Sequence, residues 1–95
     1  MTPWRIEIEG EDFNKFVRKL PAYEQAVLFA AIEQVLALSG PDICDSEWGR
    51  PLGSGLYEFR IRRSLNALTK SQPEFQPSAA GKRPVLLRIF CAFTE

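Results

Sequence analysis

Hydrophobic and polar positions fall into patterned runs separated by turn-forming residues. Trp4, Ile6 and Ile8 alternate with Arg5, Glu7 and Glu9, the period of a half-buried strand, and Gly10 ends the run. Phe13, Phe16, Val17 and Leu20 then recur at helical spacing, with Glu11 and Asp12 at the start and Pro21 at the stop, which predicts a first helix. A second helix is predicted over residues 23–39, ended by Gly40-Pro41. On a helical wheel its Val27, Leu28, Phe29, Ile32, Val35, Leu36 and Leu38 cover roughly 200°. An arc that wide must meet a sheet on one side and the first helix on the other. A polar loop over residues 42–55 follows, in which Gly53-Ser54-Gly55 reads as a tight turn. Strands are predicted over residues 56–62 and 85–93, with a turn of helix at residues 65–68 between them.

The order β-α-α-β-β makes an α+β domain: a small antiparallel sheet with a two-helix hairpin on one face. One domain spans residues 1–95, with a flexible connection at about residues 64–84 that holds Pro73, Pro77, Gly81 and Pro84. Tyr57, Phe59 and Ile61 face the helices together with Val85, Leu87 and Ile89. Period 2 then puts Arg60, Arg62 and Arg88 together on the uncovered face. The strand over residues 85–93 is left with an exposed edge that a partner strand has to cover.

Composition narrows the chemistry. The chain has 95 residues, 45% of them hydrophobic and 25% charged, and a formal net charge of zero. That zero hides an asymmetry: residues 1–47 carry four bases against nine acids, net −5, and residues 48–95 carry eight against three, net +5. A basic working surface from the second half is one reading; a solvated basic edge is the other. With no histidine, imidazole-based triads and metal sites are excluded, and two cysteines make neither a disulfide framework nor a zinc site. The longest uninterrupted apolar run, residues 26–32, falls far short of a membrane span, and the N-terminus has no signal-peptide pattern. A cytoplasmic domain without cofactor, metal or membrane attachment is expected.

Three guanidinium groups on an open sheet face, bordered by Lys82 and Arg83, suit a polyanion, because the planar fork of arginine matches phosphate oxygens. Leu86 and Phe90 between them offer a base or ribose an apolar surface. A structural role is the competing reading, with Glu58 pairing across the strands to Arg88. Glu58 is also a candidate proton acceptor, weakened by its neighbouring arginines, which lower its pKa. Cys44, in an acidic loop, and Cys91, on an apolar face, read as separate, Cys91 being a buried inert thiol. Trp48 reads as an anchor for its loop rather than an RNA-stacking residue.

Beyond these patterns, three blocks carry a resemblance. Trp4-Arg5-Ile6-Glu7, then Phe13-x-x-Phe16 with Arg18-Lys19-Leu20-Pro21, and above all Arg50-Pro51-Leu52-Gly53-Ser54-Gly55-Leu56-Tyr57-Glu58-Phe59-Arg60-Ile61 resemble the RelE/HigB toxin superfamily, in particular its phage-derived HigB-like branch. Residues 85–93, an arginine within an apolar run, resemble that branch's next strand. The resemblance covers nearly the whole chain except the connection over residues 63–84, which is longer than the family usually has. It implies a RelE/ParE-like fold and the toxin half of a type II toxin–antitoxin pair. Such toxins are metal-independent mRNA endoribonucleases (mRNA interferases) that work in the ribosomal A site, where the 2′-hydroxyl attacks the adjacent phosphate with help from basic side chains. By position, the resemblance makes Arg60 and Arg88 the catalytic pair and Arg62, Lys82 and Arg83 the RNA-binding residues. The partners it implies are a cognate antitoxin, the ribosome and mRNA. The family continues with another strand and a basic C-terminal segment that find no counterpart before Glu95. The chain thus resembles a C-terminally truncated member, and inactivity in this short form stays open. Two other readings stand beside the nuclease: a ParE-like non-enzymatic inhibitor of a protein target such as gyrase, and a degenerate fragment retaining only antitoxin binding.

Overall fold

The computed structural model describes residues 4–8, 10–70 and 80–94. Helix α1, Asp12–Lys19, begins with an acid and ends on Arg18 and Lys19, so its charges complement the helix dipole. Leu20 leaves it in extended geometry, the conformation favoured before a proline. Helix α2, Ala22–Ala31, runs into a π-helical turn, Ile32–Leu36, and a last α-helical turn α3, Ala37–Ser39. Gly40 breaks the run at φ +55° and opens a 3₁₀ segment, Gly40–Asp45. A Cβ at Gly40 would stand 2.3 Å from the Trp4 indole nitrogen, so both its dihedral and its neighbour demand glycine.

Strands β1 (Gly49–Gly53), β2 (Leu56–Ser64) and β3 (Pro84–Cys91) form one antiparallel sheet in the order β1-β2-β3. Ser54 and Gly55, both at positive φ, make the tight turn between β1 and β2, with a register irregularity just before it. Ser64 then caps the short helix α4, Leu65–Thr69, its hydroxyl accepting from the Ala67 amide at 3.3 Å. Val27, Leu28 and Ala31 of α2 are fully buried against Phe59 and Ile61 of β2 and Val85 of β3, with Leu36, Ile43 and Leu68 completing the core. The hydroxyl of Tyr23 joins three elements at this seam. It donates to the Arg83 carbonyl just before β3 and accepts from the Leu65 amide at the start of α4.

The α+β class, the antiparallel sheet and both helices match the reading of the pattern. Four details differ. Residues 4–8 form no strand; Trp4 instead donates its amide to the Ala37 carbonyl at 2.6 Å, and its ring meets Phe93 edge-on. The loop expected over residues 42–55 contains β1, so β2 is the central strand. The apolar arc of the second helix is not wholly covered: a π turn interrupts the helix, and Phe29 before it and Leu38 after it are exposed. Finally, α1 buries none of its residues fully; Phe13 and Phe16 border a groove with Arg88, Ile89 and Phe90, so α1 flanks the outer edge of β3 rather than lying flat on the sheet.

Much of the connection expected to be flexible, residues 71–79, lies outside the described residues. The helical segment Ala22–Asp45 is long and apolar enough, at a mean hydropathy of 1.5, to cross a membrane by length and composition alone. Glu24 and Glu33 punctuate it, which is why its uninterrupted apolar runs are short. In this fold its Val27, Leu28, Ala31, Leu36 and Ile43 make up the helical side of the core.

Candidate functional site

The core and the charged face are two sides of one sheet. Phe59 and Ile61 point into the helices, so their neighbours Glu58, Arg60 and Arg62 emerge on the opposite side. Antiparallel register sets Arg60 directly across from Arg88, Arg62 across from Leu86, and Glu58 across from both Phe90 and Arg50. Arg60, Arg62 and Arg88 therefore share the open face, and together with Leu86 they line a shallow depression of about 350 Å³. Leu86 and Phe90 stand out beside Arg88 with 76% and 66% of their surface exposed.

Glu58 is the buried member of this face, only 6% exposed. Arg60 donates its Nε–H to Glu58 Oε1 at 2.6 Å, and Arg50 Nε lies 3.8 Å from the same oxygen. The Arg60 hydrogen bond, followed by the charges of Arg60, Arg50 and Arg88, outweighs desolvation and holds the Glu58 carboxyl below its ordinary value. The pairing differs from the one expected from sequence: Glu58 is held by Arg60 and Arg50, and Arg88 reaches it only through its field. Among the described residues, Arg62 and Arg88 form no ion pair.

The two basic residues of the connection separate. Arg83 pairs with Glu24 of α2 at 3.3 Å and lies over the Tyr23 ring, 4.6 Å from its centroid. It belongs to the seam between α2 and β3, and the structure does not bring it to the open face. Lys82 is exposed and forms no ion pair among the described residues. Arg63 points to the helix side, paired with Glu47 and placed 5.0 Å over the Trp48 ring. Trp48 stacks in turn on Phe59 at 6.1 Å, which anchors its loop on the core.

Arg50 is the member of the face that sequence reasoning missed. Its strand carries Gly49, Pro51 and Gly53, which hide the β pattern; the one available signal was an arginine just before a tight hairpin turn into an Arg-bearing strand.

Neither thiol is activated. Burial, then Asp45, pushes the Cys44 pKa up, and burial, then Cys44 itself, pushes Cys91 up. Among the described residues no cluster of three or more His, Cys, Asp or Glu side chains is placed to hold a metal ion.

Chemically, the face can bind phosphate oxygens through guanidinium forks and rest an apolar ring on Leu86 or Phe90. Among the described residues it offers no free general base, because Glu58 is buried and engaged. Comparison of the chain with protein-family models, with curated proteins and with solved structures finds no match in any of the three.

Proposed function

We propose that this chain is a RelE/HigB-like toxin of a type II toxin–antitoxin pair that grips ribosome-bound mRNA in the cytoplasm and promotes its cleavage without a metal. One observation carries the reading. Arg60 and Arg88 sit directly opposite each other on an open sheet face, and only Arg60 has a carboxylate partner. Like charges set opposite each other across a sheet are destabilising, and an anion between the strands removes that cost. The sequence blocks that resemble the toxin superfamily, above all Leu56-Tyr57-Glu58-Phe59-Arg60, say which anion: an RNA backbone.

In this reading the 2′-oxygen attacks the adjacent phosphorus and the P–O5′ bond breaks, leaving a 2′,3′-cyclic phosphate; the 2′-hydroxyl proton passes to solvent, and the departing 5′-oxygen takes one from it. Arg88 and the outer edge of Arg60 stabilise the charge that builds on the non-bridging oxygens, and preorganised electrostatic stabilisation of this kind often dominates an enzyme's rate enhancement. Arg62 holds a neighbouring phosphate. Lys82 is available to the RNA from the loop before β3, and Arg83 keeps its place at the α2 seam.

The engaged state of Glu58 favours a second reading, a ParE-like inhibitor that binds a protein target without chemistry, because such an inhibitor needs no proton acceptor. Primer extension on mRNA from a reconstituted translation reaction separates the two. Discrete cleavage ends that vanish with Arg60→Ala and Arg88→Ala support the nuclease; translation arrest with intact mRNA, or no effect on translation at all, overturns it.

A further inference from the structure

Glu58 has the wrong sign for a phosphate-binding face, yet it is the face's most buried charged side chain. A carboxylate beside an anion site weakens binding unless it does something else. Both arginines that approach it do so through Nε, Arg60 at 2.6 Å and Arg50 at 3.8 Å, and both meet the same oxygen, Oε1. Among the described residues the outer nitrogens of these two guanidinium groups make no hydrogen bond or ion pair.

Arg50 comes from β1 and Arg60 from β2; register places Arg50 opposite Glu58, and Arg88 of β3 opposite Arg60. With Arg62 the face holds four guanidinium groups against one carboxylate, a net charge of +3. The carboxylate therefore takes up a quarter of the positive charge and leaves most of it free. In exchange, two long side chains, each rich in rotamers, are held ready for a ligand.

We infer that Glu58 is a positioning residue that aims Arg50 and Arg60 at one phosphate group, making Arg50 an anion-binding residue of the same face. The inference rests on the RNA-binding reading above and deepens it. Charge alone predicts the opposite effect of removing Glu58: an isosteric neutral side chain would raise the positive charge of the face and tighten RNA binding. Positioning predicts weaker binding, and only while the two arginines are present.

The test measures the affinity of a fluorescein-labelled oligouridine by anisotropy at fixed salt, with Glu58→Gln made in the wild-type and in the Arg50→Ala/Arg60→Ala background. Melting curves check that each variant folds. In the wild-type background Glu58→Gln is expected to weaken binding on the order of fivefold, the contribution of one net hydrogen bond. In the double-arginine background it is expected to leave binding unchanged or tighter. Arg50→Ala alone is expected to weaken binding as well. Tighter binding by Glu58→Gln in the wild-type background, or equal weakening in both, overturns the inference.

If Glu58→Gln does not fold, Glu58→Asp takes its place in the same cycle. It keeps the charge, shortens the reach by one methylene, and is expected to weaken binding in the wild-type background only; no weakening there, or equal weakening in both, overturns the inference. Arg62→Ala and Arg88→Ala, which remove no hydrogen bond or ion pair of Glu58, report on the underlying reading. If the wild-type chain binds no oligouridine, or these two leave binding unchanged, the RNA face itself fails and the positioning role falls with it.

Discussion

Phe59→Ala is the perturbation that ties the core to the charged face most directly. Phe59 is fully buried on the central strand, between Glu58 and Arg60, and its ring stacks on Trp48 with centroids 6.1 Å apart. Truncating a buried phenylalanine costs about 3–5 kcal/mol, from the apolar burial lost and the cavity left behind. The aromatic pair accounts for about 0.5–1.5 kcal/mol of that. Loss of about 4 kcal/mol is therefore expected, against a total stability of roughly 5–14 kcal/mol for a domain of 95 residues. At about 4–8 °C per kcal/mol the melting temperature falls by roughly 15–30 °C. Circular dichroism melts of wild type and variant read this, and Trp48 fluorescence shifts with the loss of its stacking partner. A fall of under about 5 °C, with Trp48 emission unchanged, would refute the claim that Phe59 is the keystone under the arginine face.

Other consequences are testable in the same preparations. Gly40→Ala forces a side chain into φ +55°, ψ −136°, a region that favours glycine, at about 1–3 kcal/mol, and drives a Cβ into the Trp4 indole, so a lower melting temperature and a shifted Trp4 emission are expected. Glu58, whose native pKa lies below its ordinary value of 4.5, contributes stability that is fully present above that value and lost as pH falls through the native one. Urea unfolding across that acid range is expected to show a decline that Glu58→Gln flattens; an identical decline in the variant counts against it. Both thiols, with pKa values raised by burial, are expected to react slowly with iodoacetamide near neutral pH and quickly in denaturant; fast labelling of the native chain contradicts the placement of Cys44 and Cys91.

The parts of the fold that could be read in advance are those where side-chain pattern and backbone agree. Phe13, Phe16, Val17 and Leu20 with Pro21 mark α1, and the alternation through Tyr57, Phe59 and Ile61 marks β2. The same period 2 placed Arg60, Arg62 and Arg88 on one face. The exceptions are positions where tertiary contacts decide. Trp4, Ile6 and Ile8 alternate like a strand, yet among the described residues no strand pairs with them, and Trp4 packs against Gly40 and Phe93. In β1, Gly49 is admitted by close packing on Ile43 and Pro51 by its edge position, features that propensity counts against a strand.

The π turn at Ile32–Leu36 leaves no mark in a hydrophobic wheel drawn at 100° per residue, so the wide arc looks continuous in the sequence. Within the site, the partners of Glu58 were hidden because Arg50 reaches it only through β1, whose glycines and proline mask it as a loop. Arg83 is basic and near in sequence to Lys82, but Glu24 and Tyr23 hold it on the other side of the sheet.

The central claim is that guanidinium groups on adjacent strands grip an RNA backbone, and the salt dependence of binding measures it most directly. The slope of log affinity against log salt for oligouridine is compared between the wild-type chain and the Arg60→Ala/Arg62→Ala/Arg88→Ala variant. Loss of three phosphate contacts is expected to make the slope shallower by about 2 for a single strand, with a corresponding loss of affinity. A variant that binds with the wild-type slope and affinity would contradict the account.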